Sequence, residues 1–539
     1  MPENQRKTEY LWTLAAALVI LGYLAVFTVI DFRGFARLAT SDMYEDTLVA
    51  RLMWEEGTLF PKSYLFGNQF YIAATPVLSA LFYGLTGSMN RAMAWATLCM
   101  SILLLASMEW MLRPFVRRPS MRAAVLLCFP ASIFGPHALM REDGQQLFFG
   151  MCSFYACYLI CFFVVLGDYA RAQKSEAPRL PALLLALLLC FCTGMQSLRE
   201  TCVLILPLLC YEGLHLLRGL WKREPVCPGG RRMRLWRVSA YTAANALGLL
   251  LIRILPVRRH EIYSGESLLS GAPLAEKLRD VHTAFAAVTG YDVTKSGEYR
   301  LFYILMFLAT TLLVLSAVYL LLRGRRSAAG AGCFWLVAVI GCLAVVAASF
   351  VTAVRLRPIY LFLWYALPAL SLALIAERDL KRLRPVLLSL LCVLSAANLF
   401  FSYRDDLRAA LSDEPVPARE IADWAVENGY EFVYGSHSRA APAVAVWSDG
   451  ALIAGCWQDE YLYKLSPHIN IRNIYSLDDA PRAVFVFLET ELPGMRAESA
   501  GNGTVMTPHG QYGDYYVYTA SKQCLWPITE TIDYVPEYN

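Results

Sequence analysis

The chain has 539 residues, of which 57% are hydrophobic and 17% charged, and its mean hydropathy is +0.43. A soluble protein of this size rarely buries so much apolar surface, so the composition indicates a multispanning α-helical membrane protein. The net charge of +4 is modest. Because the basic residues lie in short loops between apolar runs, the sequence does not favour nucleic-acid binding.

Apolar runs of about 17 to 25 residues predict about eleven transmembrane helices. The first run, 11–30, is not followed by a small-residue cleavage site, so we interpret it as a retained anchor. A further run, 69–85, contains Pro76 and Gly84 and is ambiguous between a span and a surface helix. The predicted spans are 11–30, 91–112, 122–139, 147–167, 181–197, 201–217, 237–256, 301–322, 329–352, 358–376 and 385–401.

The distribution of Lys and Arg among the loops resolves this ambiguity. If 69–85 does not cross the bilayer, the short loops on one side carry 23 basic residues and those on the other side carry four. Basic residues in short loops favour the cytoplasmic side. The sequence therefore predicts a cytoplasmic N-terminus, an external C-terminus, and a juxtamembrane or re-entrant helix at 69–85.

The apolar character ends near Phe401, which divides the chain into a transmembrane domain, 1–400, and a polar domain, 401–539. The polar part is expected to be a small extracytoplasmic α/β domain. Its predicted elements are a helix at 415–428 and strands at 432–434, 444–447, 483–488 and 515–518. Cys456 and Cys524 lie in this domain, and the sequence leaves open whether they form a disulfide.

Acidic residues are clustered in the first external loop, 31–90. Asp42, Glu45 and Asp46 are three and four residues apart, so on a helix they share one face. Carboxylates so close to a bilayer are costly to place, which makes them a functional hypothesis. The structural alternative is that Asp42 caps a helix N-terminus with Glu45 as its reciprocal partner.

The order of features in this loop resembles the GT-C class of membrane glycosyltransferases, which includes bacterial enzymes of the protein mannosyltransferase and aminoarabinose transferase type. Members carry an acidic residue after the first span, then a short helix, a glycine-proline turn and a surface helix. The matching positions are Asp42, Tyr44, Ala50, Gly57, Pro61 and the run from Gln69. Two features depart from the pattern: Pro76 lies inside the surface helix instead of a preceding Pro-Pro pair, and Met43 replaces a second acid.

The resemblance implies transfer of a sugar from a polyprenyl-phosphate donor to a lipid, glycan or protein acceptor, at the external face of a bacterial plasma membrane. Asp42 is the expected general base, in a displacement that inverts the anomeric carbon. Arg355 and Arg357 are the first candidates to bind the donor phosphate, with 258–260 (Arg258, Arg259, His260) as a second set. The alternative for these cations is headgroup contact or snorkelling from helix ends.

A second external loop holds another polar group of candidates. The resemblance implies that His137, Glu142 and Asp143 help to hold the acceptor or a divalent metal, while Glu45 and Asp46 support Asp42. The alternative is that Arg141 and Asp143 close a tight loop as an ion pair. No cofactor is certain, and the seven histidines have no metal-binding spacing.

The sequence leaves three further alternatives open. Arg199 and Glu200 are expected to form a local ion pair or to line a cavity. The whole protein could be a transporter or flippase of lipid-linked saccharides, although it lacks the inverted repeats and mid-membrane charges common in such proteins. It could also be a non-catalytic membrane scaffold with an external binding domain.

Overall fold

The computed structural model describes most of the chain. The described residues are 3–64, 66, 69–141, 143–173, 180–221, 229–257, 272–295, 297–323, 330–352, 355–377, 384–436, 440–457, 464–466, 482–520 and 526–527. The first 410 residues are mainly helical, and a small mixed sheet with three helices follows them. The predicted fold class, a multispanning helical membrane protein with a small C-terminal α/β domain, is confirmed.

The helices of the first 410 residues follow the apolar runs of the sequence. They are α1 Glu3–Val29, α2 Phe35–Leu38, α3 Ser41–Glu55, α4 Thr75–Thr86, α5 Met89–Leu112, α6 Pro119–Ala131, α7 Ala156–Gln173, α8 Leu180–Gln196, α9 Leu206–Trp221, α10 Gly229–Ile254, α11 Leu274–Val288, α12 Arg300–Arg323, α13 Ala331–Val351, α14 Leu367–Ala376 and α15 Arg384–Ala410. Single π-helical turns lie at Ile30–Gly34 and Thr201–Ile205, and a 3₁₀ segment, Pro358–Ala366, precedes α14.

Eight helical segments of the described part are long and apolar enough to cross a membrane. They are Arg6–Gly34, Met89–Leu112, Thr201–Arg218, Arg232–Ile254, Arg300–Arg323, Ala331–Val351, Pro358–Ala376 and Arg384–Ala410. Helices α4, α6 and α8 are apolar but shorter. The count of about eleven spans therefore stays a prediction.

Helix α4 corresponds to the ambiguous run at 69–85. It has 12 residues, which gives it a length of about 18 Å, well short of the roughly 30 Å hydrocarbon core. It packs against α3 and α5, as a juxtamembrane helix would. Pro76 lies inside this helix, as expected, and because the helix begins at Thr75 it occupies the first turn, where its missing N–H is not needed.

The predicted span at 122–139 is shorter than expected. Helix α6 ends at Ala131, one residue after Pro130, and Gly135 has a φ of +124° before Pro136. A residue that precedes proline is disfavoured in the helical region, so the helix cannot continue through this segment. His137 therefore lies in the loop after α6 and not on a span.

The C-terminal domain contains α16 Pro417–Glu427, α17 Ala441–Trp447 and α18 Leu492–Asn502 around one sheet. Its strands are β1 Phe432–Ser436, β2 Ile453–Trp457, β3 Lys464–Ser466, β4 Ala483–Leu488, β5 Met506–Tyr512, β6 Tyr515–Ala520 and β7 Trp526–Pro527. The strand order is β5-β6-β4-β1-β2-β3-β7. The central strand β1 pairs in parallel with β2 and β4, whereas β6 joins β4 in antiparallel orientation.

Two details of this domain differ from the sequence predictions. The predicted strand at 444–447 is wrong, because these residues form the end of helix α17. Since β1 and β2 are parallel, the chain must cross over between them, and such a crossover usually contains a helix. The predicted domain boundary at 400 falls within α15, which continues to Ala410.

Helices α8 and α10 approach each other closely because glycines face the partner's backbone. A Cβ atom added to Gly248 would lie 2.2 Å from the carbonyl oxygen of Phe191, and one added to Gly194 would lie 2.3 Å from that of Asn245. Small residues at helix interfaces permit such approaches in membranes.

We expect Gly248→Ala to force these two helices apart and to destabilise the protein by about 1–3 kcal/mol. Gly213→Ala on α9 is the matched control, because an added Cβ there meets no atom within 4 Å and alanine favours the helix. Thermal unfolding in detergent measures the melting temperatures of the two variants. Equal midpoints for the two variants would contradict the packing argument.

Candidate functional site

The first turn of α3 presents Asp42 to the surface. Thr40 is the residue before the helix, with φ −91° and ψ 171°, and its backbone N–H lies 3.5 Å from the sulfur of Met43. Asp42 is therefore a first-turn residue, favourably placed in the field of the helix N-terminus. The alternative in which Asp42 caps the helix with Glu45 is wrong, because the residue that caps the helix is Thr40, two positions before Asp42.

Asp42 is exposed, whereas its neighbour Met43 is fully buried. Within the described residues, the Asp42 carboxylate makes no hydrogen bond and no ion pair with another side chain. A carboxylate in this state can accept a proton or a hydrogen bond from a bound molecule. This is the chemical property that a general base needs.

Glu45 is half-buried and Asp46 is 3% exposed, so the three acids differ in their environment. Burial raises the pKa of Asp46 well above its usual range; a hydrogen bond from Tyr71 opposes this shift, and the charges of Asp42 and Glu45 add to it. Burial, then the charges of Glu45 and Asp46, also raises the pKa of Tyr64. We call Asp42, Glu45, Asp46, Tyr64 and Tyr71 the acidic cluster.

Arg199 is surrounded by aromatic rings. Its guanidinium carbon is 5.0 Å from the ring centre of Tyr155, 5.9 Å from that of Tyr158 and 6.0 Å from that of Tyr360. One guanidinium N–H donates to the side-chain oxygen of Gln69. Asp42 is also near enough to interact electrostatically with Tyr155, so both the acid and the guanidinium lie near this tyrosine.

The expected ion pair between Arg199 and Glu200 is wrong. Glu200 is fully buried, and its two carboxylate oxygens have no hydrogen-bond partner in the described part of the chain. Adjacent side chains on a helix point in different directions, so Arg199 reaches the tyrosine rings while Glu200 turns into the protein. The alternative, that Arg199 lines a cavity, stays a prediction.

The second external loop forms a separate ion-pair network. The guanidinium of Arg141 binds Asp143 with two contacts of 3.2 and 3.1 Å and binds Asp292 at 2.9 Å. The Tyr365 hydroxyl donates to the backbone carbonyl of Asp143. The structure thus forms the Arg141–Asp143 pair of the structural alternative, and Glu142 lies outside the described residues.

His137 has a partner that the sequence did not indicate. Its Nδ1 lies 2.9 Å from Oδ1 of Asp406, whose side chain is fully buried near the end of α15. The other oxygen of Asp406 accepts the backbone N–H of Leu139. The contact joins residues 269 positions apart in the chain, so local sequence patterns could not reveal it.

The proposed phosphate-binding arginines differ in their surroundings. Arg355 is 75% exposed and pairs with the buried Asp280 at 2.9 Å. Arg357 is exposed and also has an interaction partner. Arg258, Arg259 and His260 lie outside the described residues. The structure therefore adds Arg199 as a cation near Asp42 and leaves Arg355 already paired with a carboxylate.

The C-terminal domain packs directly on the helix that carries Asp42. Helix α17 contacts α3, where Tyr44 lies beside Trp447. Oδ1 of Asp449 accepts the first backbone N–H of α5 from Met89 at 2.9 Å. Glu45 is close enough to interact electrostatically with Cys456 on β2. Cys524 lies outside the described residues.

The described residues contain no group of three or more His, Cys, Asp and Glu side chains arranged to hold a metal ion. The sequence reasoning missed Tyr64, Tyr71 and Arg199 as neighbours of Asp42. The aromatic residues of the loop gave a weak signal, but Arg199 comes from a different external segment and only the fold brings it here.

Comparison with known proteins identifies the fold. No family model and no curated protein sequence matches the chain. Among solved structures, ArnT from Cupriavidus metallidurans bound to undecaprenyl phosphate is similar, with a TM-score of 0.56 and 13% identity over 95% of this chain and 98% of that one. The apo state of ArnT gives a TM-score of 0.55 with the same identity and coverage. The fold that the resemblance implies is confirmed, since the chain shares the fold of ArnT over nearly its whole length.

Asp46 provides a test of the electrostatics of the acidic cluster. A carboxyl with a raised folded-state pKa binds more protons when folded, so stability falls as pH rises from the unfolded Asp pKa of about 4 towards the folded pKa. We expect Asp46→Asn to remove this loss, which amounts to about 1.4 kcal/mol for each pKa unit of the shift. At pH 8 the variant should melt at a higher temperature than the wild type.

Thermal unfolding between pH 4 and pH 8 measures this effect. Asp423→Asn is the matched control, because the Asp423 side chain is 61% exposed on α16. If the wild type and Asp46→Asn lose the same stability with rising pH, ionisation of the buried Asp46 carboxyl does not destabilise the protein, and the inferred pKa shift is wrong.

Proposed function

We propose that the protein is a membrane glycosyltransferase that transfers one sugar from a polyprenyl-phosphate donor to an acceptor at the external face of the membrane. The observation that carries this proposal is the exposed, unpaired carboxylate of Asp42, in the first external loop of a fold that matches ArnT over nearly the whole chain. One ArnT structure holds undecaprenyl phosphate, which supports a lipid phosphate as the donor class.

In this proposal Asp42 is the general base. It accepts the proton of the acceptor nucleophile as that atom attacks the anomeric carbon, and the polyprenyl phosphate leaves from the opposite side. A single displacement of this kind inverts the anomeric configuration. Glu45 and Asp46 are buried more deeply on the same helix, so Asp42 is the acid of the three that a bound acceptor can reach.

The leaving phosphate needs a cation that is fixed before the reaction begins. Arg199 fits this role because it is held by neutral groups, the tyrosine rings and Gln69, so its charge is not already neutralised by a carboxylate of the described residues. Arg355 and Arg357 are the further candidates at the external surface, and the Asp280 pair of Arg355 must open or be shared if it binds the phosphate.

An apolar cavity of about 530 Å³ supports a lipid substrate. It lies between α11, α12 and the 3₁₀ segment before α14, and its walls include Phe285, Phe307 and Trp364. Tyr365 also lines the cavity, and its hydroxyl connects the cavity to Asp143 in the second external loop. A prenyl chain segment is the kind of molecule that such a cavity accommodates.

The placement in the cell follows from the same reasoning. The bias of loop charges supports a cytoplasmic N-terminus and an external C-terminal domain, and a polyprenyl-phosphate donor is consistent with a bacterial plasma membrane. The C-terminal domain, packed on α3 through α17, would then cover the site and contact the acceptor. Asp143, His137 and Glu142 are the remaining candidates for contacts with the acceptor or with a divalent metal.

Replacement of Asp42 tests the proposed base. We expect Asp42→Asn, purified in lipid nanodiscs with a panel of polyprenyl-phosphate sugars, to lower kcat about 10²- to 10⁴-fold, because the amide cannot accept the proton. Asp423→Asn, which changes an exposed acid on α16, is the matched control. Unchanged transfer by Asp42→Asn would remove this base from the mechanism, and lipid-linked sugar flipping without transfer would support the transporter alternative instead.

Replacement of Arg199 tests the phosphate contact. A charge-assisted hydrogen bond contributes roughly 1.5–3 kcal/mol, so we expect Arg199→Gln to weaken donor binding about 10- to 100-fold, and Arg199→Lys to restore part of it. Binding of undecaprenyl phosphate to the purified variants measures this. Arg408→Gln is the control, since that side chain is 70% exposed at the end of α15; equal affinities for the Arg199 and Arg408 variants would exclude Arg199.

A further inference from the structure

Three consecutive residues other than glycine adopt the left-handed backbone conformation at 151–153. The φ angles are +46° for Met151, +83° for Cys152 and +46° for Ser153, and all three residues are at most 1% exposed. Side chains disfavour this conformation, and runs of it are rare outside glycine. Strained backbone of this kind persists only where the surrounding structure determines it, and it is concentrated at functional sites.

Side chains from two other helices hold this left-handed turn. Oδ1 of Asp31, in the π-helical turn after α1, accepts the N–H of Met151 at 2.7 Å. The hydroxyl of Thr97 on α5 accepts the N–H of Cys152 at 3.2 Å. Asp31 itself is only 3% exposed. Single π-helical turns inside α-helices are often found at functional sites.

The left-handed turn supports the helix that carries the proposed base. The Cys152 thiol lies 3.7 Å from the carbonyl oxygen of Met43, the residue that follows Asp42. Met43 is fully buried, and its carbonyl also accepts the hydroxyl of Thr47 at 2.7 Å. Cys152 is close enough to interact electrostatically with Asp42. A displacement of the turn therefore moves the backbone of Asp42.

The same turn leads directly to the opposite side of the site. Tyr155 lies two residues after Ser153, and its ring contacts Arg199. Its backbone N–H donates to the Leu147 carbonyl at 2.8 Å, which ties this residue to the segment before the turn. One rigid backbone segment thus determines where the base and the cation stand relative to each other.

We infer that Asp31 and the left-handed turn at 151–153 are positioning elements of the transferase site, which set Asp42 against Tyr155 and Arg199. This inference rests on the proposed function. Neither Asp31 nor the turn touches substrate. They act by fixing the distance between proton acceptor and phosphate-binding cation, and displacements of about 1 Å can change rates about 100-fold.

Asp31 provides the first test, because the inference assigns its role to a hydrogen bond and not to its charge. Asp31→Ala removes the acceptor for the Met151 N–H, and we expect kcat to fall about 10- to 100-fold with little change in the KM for the donor. Asp31→Asn keeps an acceptor oxygen and should restore most of the lost kcat. If Asn lowers kcat as much as Ala, the charge of Asp31 matters and the positioning inference is wrong.

Ser153 provides a variant that separates positioning from general stability. Its hydroxyl is buried and has no hydrogen-bond partner among the described residues, and its backbone is in the region that glycine adopts freely. Ser153→Gly should therefore melt at or above the wild-type temperature. Because the turn becomes less rigid, kcat should nevertheless fall about fivefold or more. An unchanged kcat would overturn the inference, and a parallel loss of melting temperature and kcat would indicate simple packing.

Hydrogen exchange of the α3 backbone gives a readout that does not depend on transferase activity. We expect peptides covering 41–55 to exchange about tenfold faster in Asp31→Ala and in Thr97→Val than in the wild type. Thr242→Val is the matched control, because the Thr242 hydroxyl bonds only within α10, to Val238 at 2.8 Å.

The two readouts distinguish the possible failures. If α3 exchange is unchanged in Asp31→Ala and Thr97→Val, the turn does not support α3 and the inference fails. If α3 exchange rises as expected but the wild type transfers no sugar from any polyprenyl-phosphate donor, the support of α3 is established and the proposed function fails.

Discussion

The burial of Met43 beside an exposed Asp42 is the constraint on which the candidate site depends. Adjacent residues at the start of α3 must lie on opposite sides of the protein surface, one inside the core and one facing outward. Two other parts of the protein contact α3 and fix its orientation. The left-handed turn at 151–153 lies beneath it, through the Cys152 contact, and helix α17 of the C-terminal domain packs on it from the outside.

Several charged groups buried in the described part of the protein form ion pairs, and this distinguishes them from the groups that remain available for chemistry. Asp168 and Arg237, both almost fully buried, satisfy each other at 2.8 Å, and Arg141 is likewise satisfied by Asp143 and Asp292. Breaking such a pair is costly, so these ion pairs hold their side chains in place.

Two groups near α3 do not follow this pattern. Arg199 is surrounded by aromatic rings and the neutral Gln69, and Asp42 faces outward without a partner in the described part of the chain. An anion could bind the Arg199 guanidinium. A nucleophile with a transferable proton could donate it to Asp42. The arrangement of these two groups near Tyr155 is the one from which the transferase function is proposed.

The sequence predicted those features that depend on local pattern. Apolar runs predicted the membrane helices, and period-two and apolar runs predicted β1, β4 and β6. The helix predicted at 415–428 is α16, and Gly429, with a φ of +76°, follows its end. The prediction was wrong where a distant segment decides local structure. The apolar and β-branched pattern of residues 444–447 predicted a strand. The parallel pairing of β1 with β2 requires a crossover there, and these residues form the end of helix α17.

The sequence by itself determined that this is a membrane protein with a polar C-terminal domain, and it determined the candidate base, because the composition and the position of Asp42 after the first span are local properties. Only the tertiary structure decided the partners of that base. The neighbours Tyr155 and Arg199, the His137–Asp406 contact and the Asp31 support of the turn join residues far apart in the chain. Side-chain direction and long-range packing set such contacts, and neither is written in the spacing of residues along the sequence.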